Sequence, residues 1–297
     1  MNQEVKRPCP ACKNSNGKGV GIKNSFEILV CRNCETLYTS HLPSSDESEN
    51  YDEYYSDENL TVPEFVNKRI EEIVGDFSKF RQTNRLLDIG FGSGTIMEVA
   101  SKQNWDAFGT EVSKPAIDKA KQLGFEVFHG ELSEAEYPDN YFDVVAASEI
   151  LEHLHEPQVL LNEVARILRP GGLFWATTPF AKGLSYRLVG IEWSVVSPPE
   201  HIQLFSRKGM YEMLSKSGFS LVELKTYGFN PMEVMNKYKS KFSQKRGVSS
   251  EFNRLETGYQ LNESLSKSRA RQKLKDVLND TLNTLNIGDS LKIFAKL

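Results

Sequence analysis

Residues 86–94 read LLDIGFGSG. Leu86, Leu87 and Ile89 are the branched apolar residues of a short strand, and glycine then falls at every second position: Gly90, Gly92 and Gly94. The TIMEVASK that follows has helical spacing. Strand, tight glycine turn and helix start is the opening of an α/β unit. The glycines let the backbone turn sharply and let a ligand approach closely, and the new helix points its free N–H groups at the same place. An ordinary glycine turn in an α/β sheet would look the same.

A dinucleotide loop uses G-x-G-x-x-G around a pyrophosphate. Here Thr95 follows Gly94, so the third glycine is misplaced, and Asp88 would repel phosphate and favour a cation. S-adenosylmethionine, with an ammonium, a sulfonium and no phosphate, suits such a loop better.

Alternation continues along the chain. Strands are expected at 85–89, 106–111, 125–129, 142–147 and 172–178, with helical segments near 94–103, 114–122 and 156–168. A helix at 63–80 precedes them. A helix at 206–217, a strand at 219–227 and a last strand in SLKIFAKL follow. The expected fold is α/β, a doubly wound, mostly parallel seven-stranded sheet covered on both faces.

The ends of these strands carry polar groups in order. Glu111, in FGTEVS, ends the second strand 21 residues after Gly90, where a carboxylate can accept both hydroxyls of a ribose. Glu131 lies just past the third strand, placed to accept an adenine amino hydrogen, with Leu132 flanking the ring. Ser148 follows the fourth strand at the floor of the site. Open parallel sheets bind ligands at these C-terminal strand ends.

This ordered set resembles the class I S-adenosylmethionine-dependent methyltransferase family, which is Rossmann-like. LLDIGFGSG, GTEVS, HGELSEAEYPDNYFDVVAASEILEHLHEP and RILRPGGLFWATTP match its successive motifs, and the resemblance covers about 64–231 plus the last strand. It implies that Asp88 and the Gly90, Gly92 and Gly94 loop meet the methionine part, Glu111 the ribose, and Glu131 with Leu132 the adenine. Pro170, Gly171 and Gly172 would form the tight connection before the fifth strand. Members that methylate base amines or glutamine carry N/D-P-P-Y after the fourth strand, where this chain reads SEIL.

Cys9, Cys12, Cys31 and Cys34 form two C-x-x-C pairs, 18 residues apart. In a cytosolic chain that spacing reads as a tetrahedral zinc site, and GKGVGIKNSFEILV between the pairs reads as a hairpin. Four protein ligands leave no open position, so Zn2+ would be structural. Residues 1–40 form this ribbon, 41–62 an acidic linker or lid with Tyr51, Tyr54 and Tyr55, and 63–297 the main domain with a helical insertion at 232–287. The ribbon resembles one found on members acting on sugars and polysaccharides, and one on some ribosomal RNA methyltransferases.

Methyl transfer to a hydroxyl calls for a base. Of five histidines, His41 and His129 carry no site logic. His201, in SPPEHIQLFS, is the expected base, with Glu200 orienting it; PPEHIQLFS is similar to a stretch facing the acceptor in sugar and small-molecule members. The bland reading is a helix cap. A second reading places Glu149, Glu152 and His153 of EILEH on one helical turn around a divalent cation.

Residues 236–275 hold eleven Lys and Arg against three Glu, a solvated face or a surface for an anionic acceptor. The chain as a whole carries −4, which excludes a polybasic nucleic-acid binder. Neither a membrane-length apolar run nor a signal-peptide core is present, so a cytoplasmic location is expected. The reading is sugar O-methylation on a small-molecule or glycan acceptor, with a homo-oligomer allowed. Alternatives are an RNA methyltransferase, a sugar C-methyltransferase and a non-catalytic cofactor-binding module.

Overall fold

The structure, a computed structural model, describes residues 6–44, 62, 64–240 and 269–297. The tyrosine-rich stretch with Tyr51, Tyr54 and Tyr55, and most of the basic stretch, lie outside the described residues. In chain order the strands are β1 (Gly17–Lys23), β2 (Phe26–Cys31), β3 (Leu37–Thr39), β4 (Arg85–Ile89), β5 (Asp106–Glu111), β6 (Glu126–His129), β7 (Phe142–Ser148), β8 (Leu168–Pro179), β9 (Gln203–Leu204), β10 (Leu221–Tyr227) and β11 (Ser290–Lys296). The helices are α1 (Glu64–Phe77), α2 (Thr95–Lys102), α3 (Lys114–Gln122), α4 (Pro157–Ile167), α5 (Leu184–Val189), α6 (Arg207–Lys216), α7 (Pro231–Ser240) and α8 (Arg269–Leu285). Two compact units result: Glu49–Thr177 with Tyr211–Glu223 and Ile293–Leu297, and Met1–Ser48 with Thr178–Met210 and Leu224–Lys292.

A seven-stranded sheet runs β10-β11-β8-β7-β4-β5-β6. β4 pairs in parallel with both β5 and β7, β5 with β6, and β7 with β8. Strands buried on both faces read as continuous apolar runs, as β7 (FDVVAAS) does. Val74 and Phe77 of α1 and Ile96, Val99 and Ala100 of α2 cover one face, over Leu86, Val144 and Trp175. Ala116, Ile117 and Ala120 of α3 pack with Phe91 and Met97 in a second cluster.

Asp143, on β7, ties the sheet to the turn that enters β4. Its Oδ2 accepts the amides of Gln82, Thr83 and Asn84 at 2.8, 2.7 and 2.9 Å, and its Oδ1 accepts Arg169 Nε at 2.6 Å. Burial alone would raise this carboxyl. Arg169 and the amides of Gln82 and Thr83 reverse that and hold it below the usual carboxylate value. The expected connection at Pro170–Gly172 is corrected here: β8 already begins at Leu168. Its register moves from Phe142↔Leu168 to Val144↔Leu173, so the Pro-Gly-Gly lies inside the strand as a bulge. A Cβ on Gly172 would stand 2.9 Å from the Arg169 carbonyl, which leaves room there only for glycine.

The second unit carries the ribbon. β1 and β2 form a hairpin closed by Asn24 and Ser25, both at positive φ (47° and 70°), the two-residue turn that suits strand twist. β2 pairs with β3, and β3 pairs antiparallel with β9, so the ribbon sheet takes its fourth strand from Gln203 and Leu204. Phe26, Ile28 and Leu37 of the ribbon share one apolar cluster with Ala181, Val189, Trp193, Val196 and Leu204. Helix α8 is tied to β10 by side-chain carbonyls: Asn283 accepts the Thr226 amide and Asn279 the Gly228 amide, each at 3.0 Å.

Candidate functional site

The sheet order reverses direction at β4, between β7 and β5, and crevices for ligands open at such points. Asp88 is buried near the end of β4, and Gly90, Gly92 and Gly94 follow it, all at positive φ (61°, 49° and 80°). That left-handed backbone is why glycine alternates there. Gly94 caps α2, and Gly90 N–H donates to the Thr110 carbonyl at 2.8 Å. Glu111, buried at the end of β5, accepts Gly92 N–H on Oε2 at 2.9 Å and Val112 and Ser113 N–H on Oε1 at 2.8 and 3.0 Å. Burial pushes the Asp88 carboxyl well up, and the charge of Glu111 adds to this. A buried carboxyl facing a second carboxylate calls for a ligand that brings positive charge. The ammonium and sulfonium of S-adenosylmethionine fit it, and a pyrophosphate does not.

Around this pair the expected residues take mixed roles. Ser148 Oγ meets Thr177 Oγ1 at 2.9 Å. Leu132 is buried, while exposed Glu131 caps a short 3-10 turn: its side chain accepts the Glu134 amide and its own N–H donates to Glu134 Oε2 at 2.9 Å. Two residues escaped the sequence reading. Val112 stands 44% exposed beside Glu111, an apolar surface just past the end of β5. His129, given no role from sequence, has its Nε2 3.0 Å from the Val112 carbonyl, and Gly130 N–H donates to the Glu111 carbonyl at 2.9 Å. Their signal was their place at the end of β6, beside Glu111.

Glu149, Glu152 and His153 do not share a helical face. The segment after β7 is a bend and a turn that precede α4, Glu149 lies there at φ 55° and exposed, and Glu152 is fully buried. Among the described residues these three do not form a ligand set. The expected helical spacing fails because the chain turns before the helix begins.

The four cysteines are brought together. All their Sγ atoms lie within 4.8 Å of one another, with Cys9–Cys34 and Cys12–Cys31 both at 3.5 Å. Four sulfurs about 2.3 Å from a common centre have edges of this size, so the set fits a tetrahedral Zn2+. The two knuckles repeat one geometry: Lys13 N–H donates to the Cys9 carbonyl and Glu35 N–H to the Cys31 carbonyl, each at 2.9 Å, with Lys13 and Glu35 at φ 58° and 67°. The hydrogen bond with Cys9 pushes the Cys34 thiol down to about 5, while the same bond pushes Cys9 up and burial pushes Cys31 up. Four thiolates this close call for a cation among them.

His201 lies in the coil between α5 and β9, half-buried. Its Nδ1 stands 2.8 Å from the Val195 carbonyl, an acceptor, so Nδ1 carries the proton and Nε2 is the basic nitrogen of the neutral ring. The Val195 carbonyl is thus the acceptor for Nδ1, and Glu200, the orienting residue expected from sequence, is half-buried next to His201 in the chain. Nor does His201 cap a helix: Ser206 caps α6, accepting Gly209 N–H at 2.9 Å.

A seven-stranded, mostly parallel sheet with carboxylates and a glycine loop at its reversal point defines a class I methyltransferase fold. Residues 62–224 match the family described as "Methyltransferase domain". The chain belongs to this family of S-adenosylmethionine-dependent methyltransferases. It is 31% identical over 128 residues to 27-O-demethylrifamycin SV methyltransferase of Amycolatopsis mediterranei, covering 40% of this chain and 47% of that protein. It is 29% identical over 160 residues to a ubiquinone biosynthesis O-methyltransferase of Cereibacter sphaeroides, covering 50% of this chain and 65% of that protein. The chain thus spans less than two thirds of the length of these curated relatives. A SAM dependent methyltransferase from Archaeoglobus fulgidus shares the fold, with TM-score 0.54, 19% identity, and coverage of 84% of this chain and 100% of that one. Among the described residues no helix is long and apolar enough to cross a membrane.

Proposed function

We propose that this protein is an S-adenosylmethionine-dependent O-methyltransferase whose acceptor is a hydroxyl of a sugar, on a nucleotide carrier or in a surface polysaccharide. The observation that carries the hydroxyl reading is the 2.8 Å contact of His201 Nδ1 with the Val195 carbonyl, which puts the proton on Nδ1 and makes Nε2 the basic nitrogen. The O-methylation named for both curated relatives supports it. The sugar reading is supported by the resemblance of the ribbon and of PPEHIQLFS to sugar-acting members. S-adenosylmethionine, when bound, supplies an electrophilic methyl group on a sulfonium. In this reading Asp88 and the glycine loop hold its methionine part and Glu111 its ribose. Val112 and Leu132 flank the adenine, with Glu131 at its amino edge and Ser148 on the floor. His201 Nε2 takes the hydroxyl proton as the acceptor oxygen is alkylated.

Cys9, Cys12, Cys31 and Cys34 would hold a structural Zn2+, in the cytoplasm, where thiolates stay reduced. An RNA-reading ribbon is less well supported. Residues 1–50 carry six Lys and Arg against six Asp and Glu, and the apolar side of β2 and β3 is covered by Val189, Trp193 and Val196.

The test is methyl transfer from labelled cofactor into a panel of nucleotide sugars, phenols and total RNA, with product NMR to tell O- from C-methylation. Label on a sugar oxygen is expected, and label in RNA alone overturns the sugar reading. His201→Ala should lower kcat by about 10²- to 10⁴-fold with unchanged cofactor affinity. Full turnover in that variant removes the base from the proposal.

A further inference from the structure

The coil that carries His201 borrows its hydrogen-bond donors from the ribbon. Lys23 Nζ donates to the Trp193 carbonyl at 2.7 Å and Asn24 Nδ2 to the Pro198 carbonyl at 2.8 Å. Arg7 Nη2 donates to the Ile202 carbonyl at 2.7 Å and to Gln203 Oε1 at 3.2 Å, while its Nε holds the Thr39 carbonyl at 2.8 Å. Thr39 N–H reaches the same Ile202 carbonyl at 3.0 Å. Leu37 and Tyr38 then pair with Leu204 and Gln203, and Ser206 Oγ donates to the carbonyl of Cys34, one of the four cysteines. His201 therefore sits between two carbonyls, Pro198 and Ile202, that ribbon side chains fix.

We propose that the four-cysteine ribbon is the positioning frame of the His201 coil, with Arg7 and Asn24 as positioning residues. The functional meaning rests on the reading of His201 as the base; the mechanical claim does not. A coil without its own ladder must find donors elsewhere for its carbonyls. Here they come from the hairpin tip and from the irregular segment leading into the first knuckle. The tip needs a left-handed residue, and Asn24 meets that need while its amide reaches Pro198. Arg7 offers a fork that bridges two strands at once, which a lysine ammonium cannot reproduce. A ribbon that only stabilised itself would have no use for three side chains on the main chain of another segment. Changes at these residues, or loss of the metal, should be felt at the imidazole of His201 before they are felt at Asp88 or Glu111.

The test uses full-length Asn24→Gly, Arg7→Lys and the double variant, each with zinc content verified. Asn24→Gly keeps the turn, because glycine accepts positive φ, and removes one donor. Three readouts need no acceptor: amide exchange over 195–206, the ¹⁵N shifts of the His201 ring, and calorimetric affinity for S-adenosylmethionine. Exchange in 195–206 should rise about tenfold in each single variant, the size of one lost net hydrogen bond, and more in the double variant. The His201 ring should move from a pure Nδ1–H signature toward the average of both tautomers, with cofactor affinity within about twofold of the parent. Unchanged exchange and an unchanged ring signature overturn the proposal. So does loosening of 85–148 to the same extent, which would mark a purely structural role. If the Arg7 variant does not fold, Asn24→Gly at the hairpin tip decides alone. A normal frame with an active His201→Ala enzyme would fail the base reading and leave the frame standing.

Discussion

Glu111 and Gly92 are joined across the glycine loop, carboxylate Oε2 to amide, at 2.9 Å. With Val112 and Ser113 on Oε1, three of the roughly four acceptor positions of a carboxylate are taken. A ribose that asks for two must displace a backbone amide. The Gly92 amide resonance should therefore move on addition of S-adenosylmethionine, by more than those of Val112 and Ser113. Glu111→Ala should weaken binding by roughly a hundredfold or more, from about 1.5–3 kcal/mol for each charge-assisted bond. Unchanged calorimetric affinity in a folded variant would place the cofactor elsewhere.

Asp88 gives the site a pH signature. Its pKa in the folded chain lies well above the usual carboxylate value, through burial and then the charge of Glu111. From the unfolded value of about 3.9 up to the raised folded value, rising pH ionises the unfolded chain first and so removes stability. A cationic ligand favours the carboxylate, so binding below the folded pKa should release a proton, and affinity should rise with pH through it. Calorimetry in two buffers of different ionisation enthalpy counts that proton. Asp88→Asn should abolish the release; a proton count of zero at every pH for the parent chain would contradict the assignment.

The ribbon should carry one zinc per chain. Elemental analysis should find it, and Cys31→Ser should lose it with a lower Tm and nearly unchanged cofactor affinity. Zinc-free protein purified without chelator, with all four thiols titrating, would rule the site out.

Asp143 and Arg169 test the sheet itself. Their 2.6 Å pair is buried on both sides, and removing one partner strands the other. Asp143→Ala should destabilise the chain by about 3–5 kcal/mol in denaturant titrations. The folded pKa of Asp143 is lowered, so its contribution is present above the unfolded value of about 3.9 and is lost as pH falls through the folded value. The parent chain should lose stability in acid more steeply than Asp143→Ala.

How much of this could be read beforehand depends on the length of each signal. β4 and β5 fall where the apolar runs and the glycines put them, because each carries its own period and its own stop. The cysteine knuckles were equally plain from spacing. β9 was not, since Gln203 and Leu204 are too few to show alternation and their partner, β3, lies more than 160 residues upstream. Pro170, Gly171 and Gly172 looked like a turn because nothing local reveals that Leu168 already pairs with Phe142. His129 and Val112 were missed because an exposed histidine and an exposed valine carry no pattern; only the closeness of the β5 and β6 ends gives them meaning.

The strand that β9 lends to β3 also orders events at the ribosome. The cysteine knuckles are made well before β9, yet the open edge of β3 waits until residue 204 has been made. Through that interval the nascent chain presents an unpaired edge, the kind that joins with neighbouring chains. A product cut off anywhere before Gln203 would keep that edge for good, so the yield of intact protein should depend on how quickly translation passes this point.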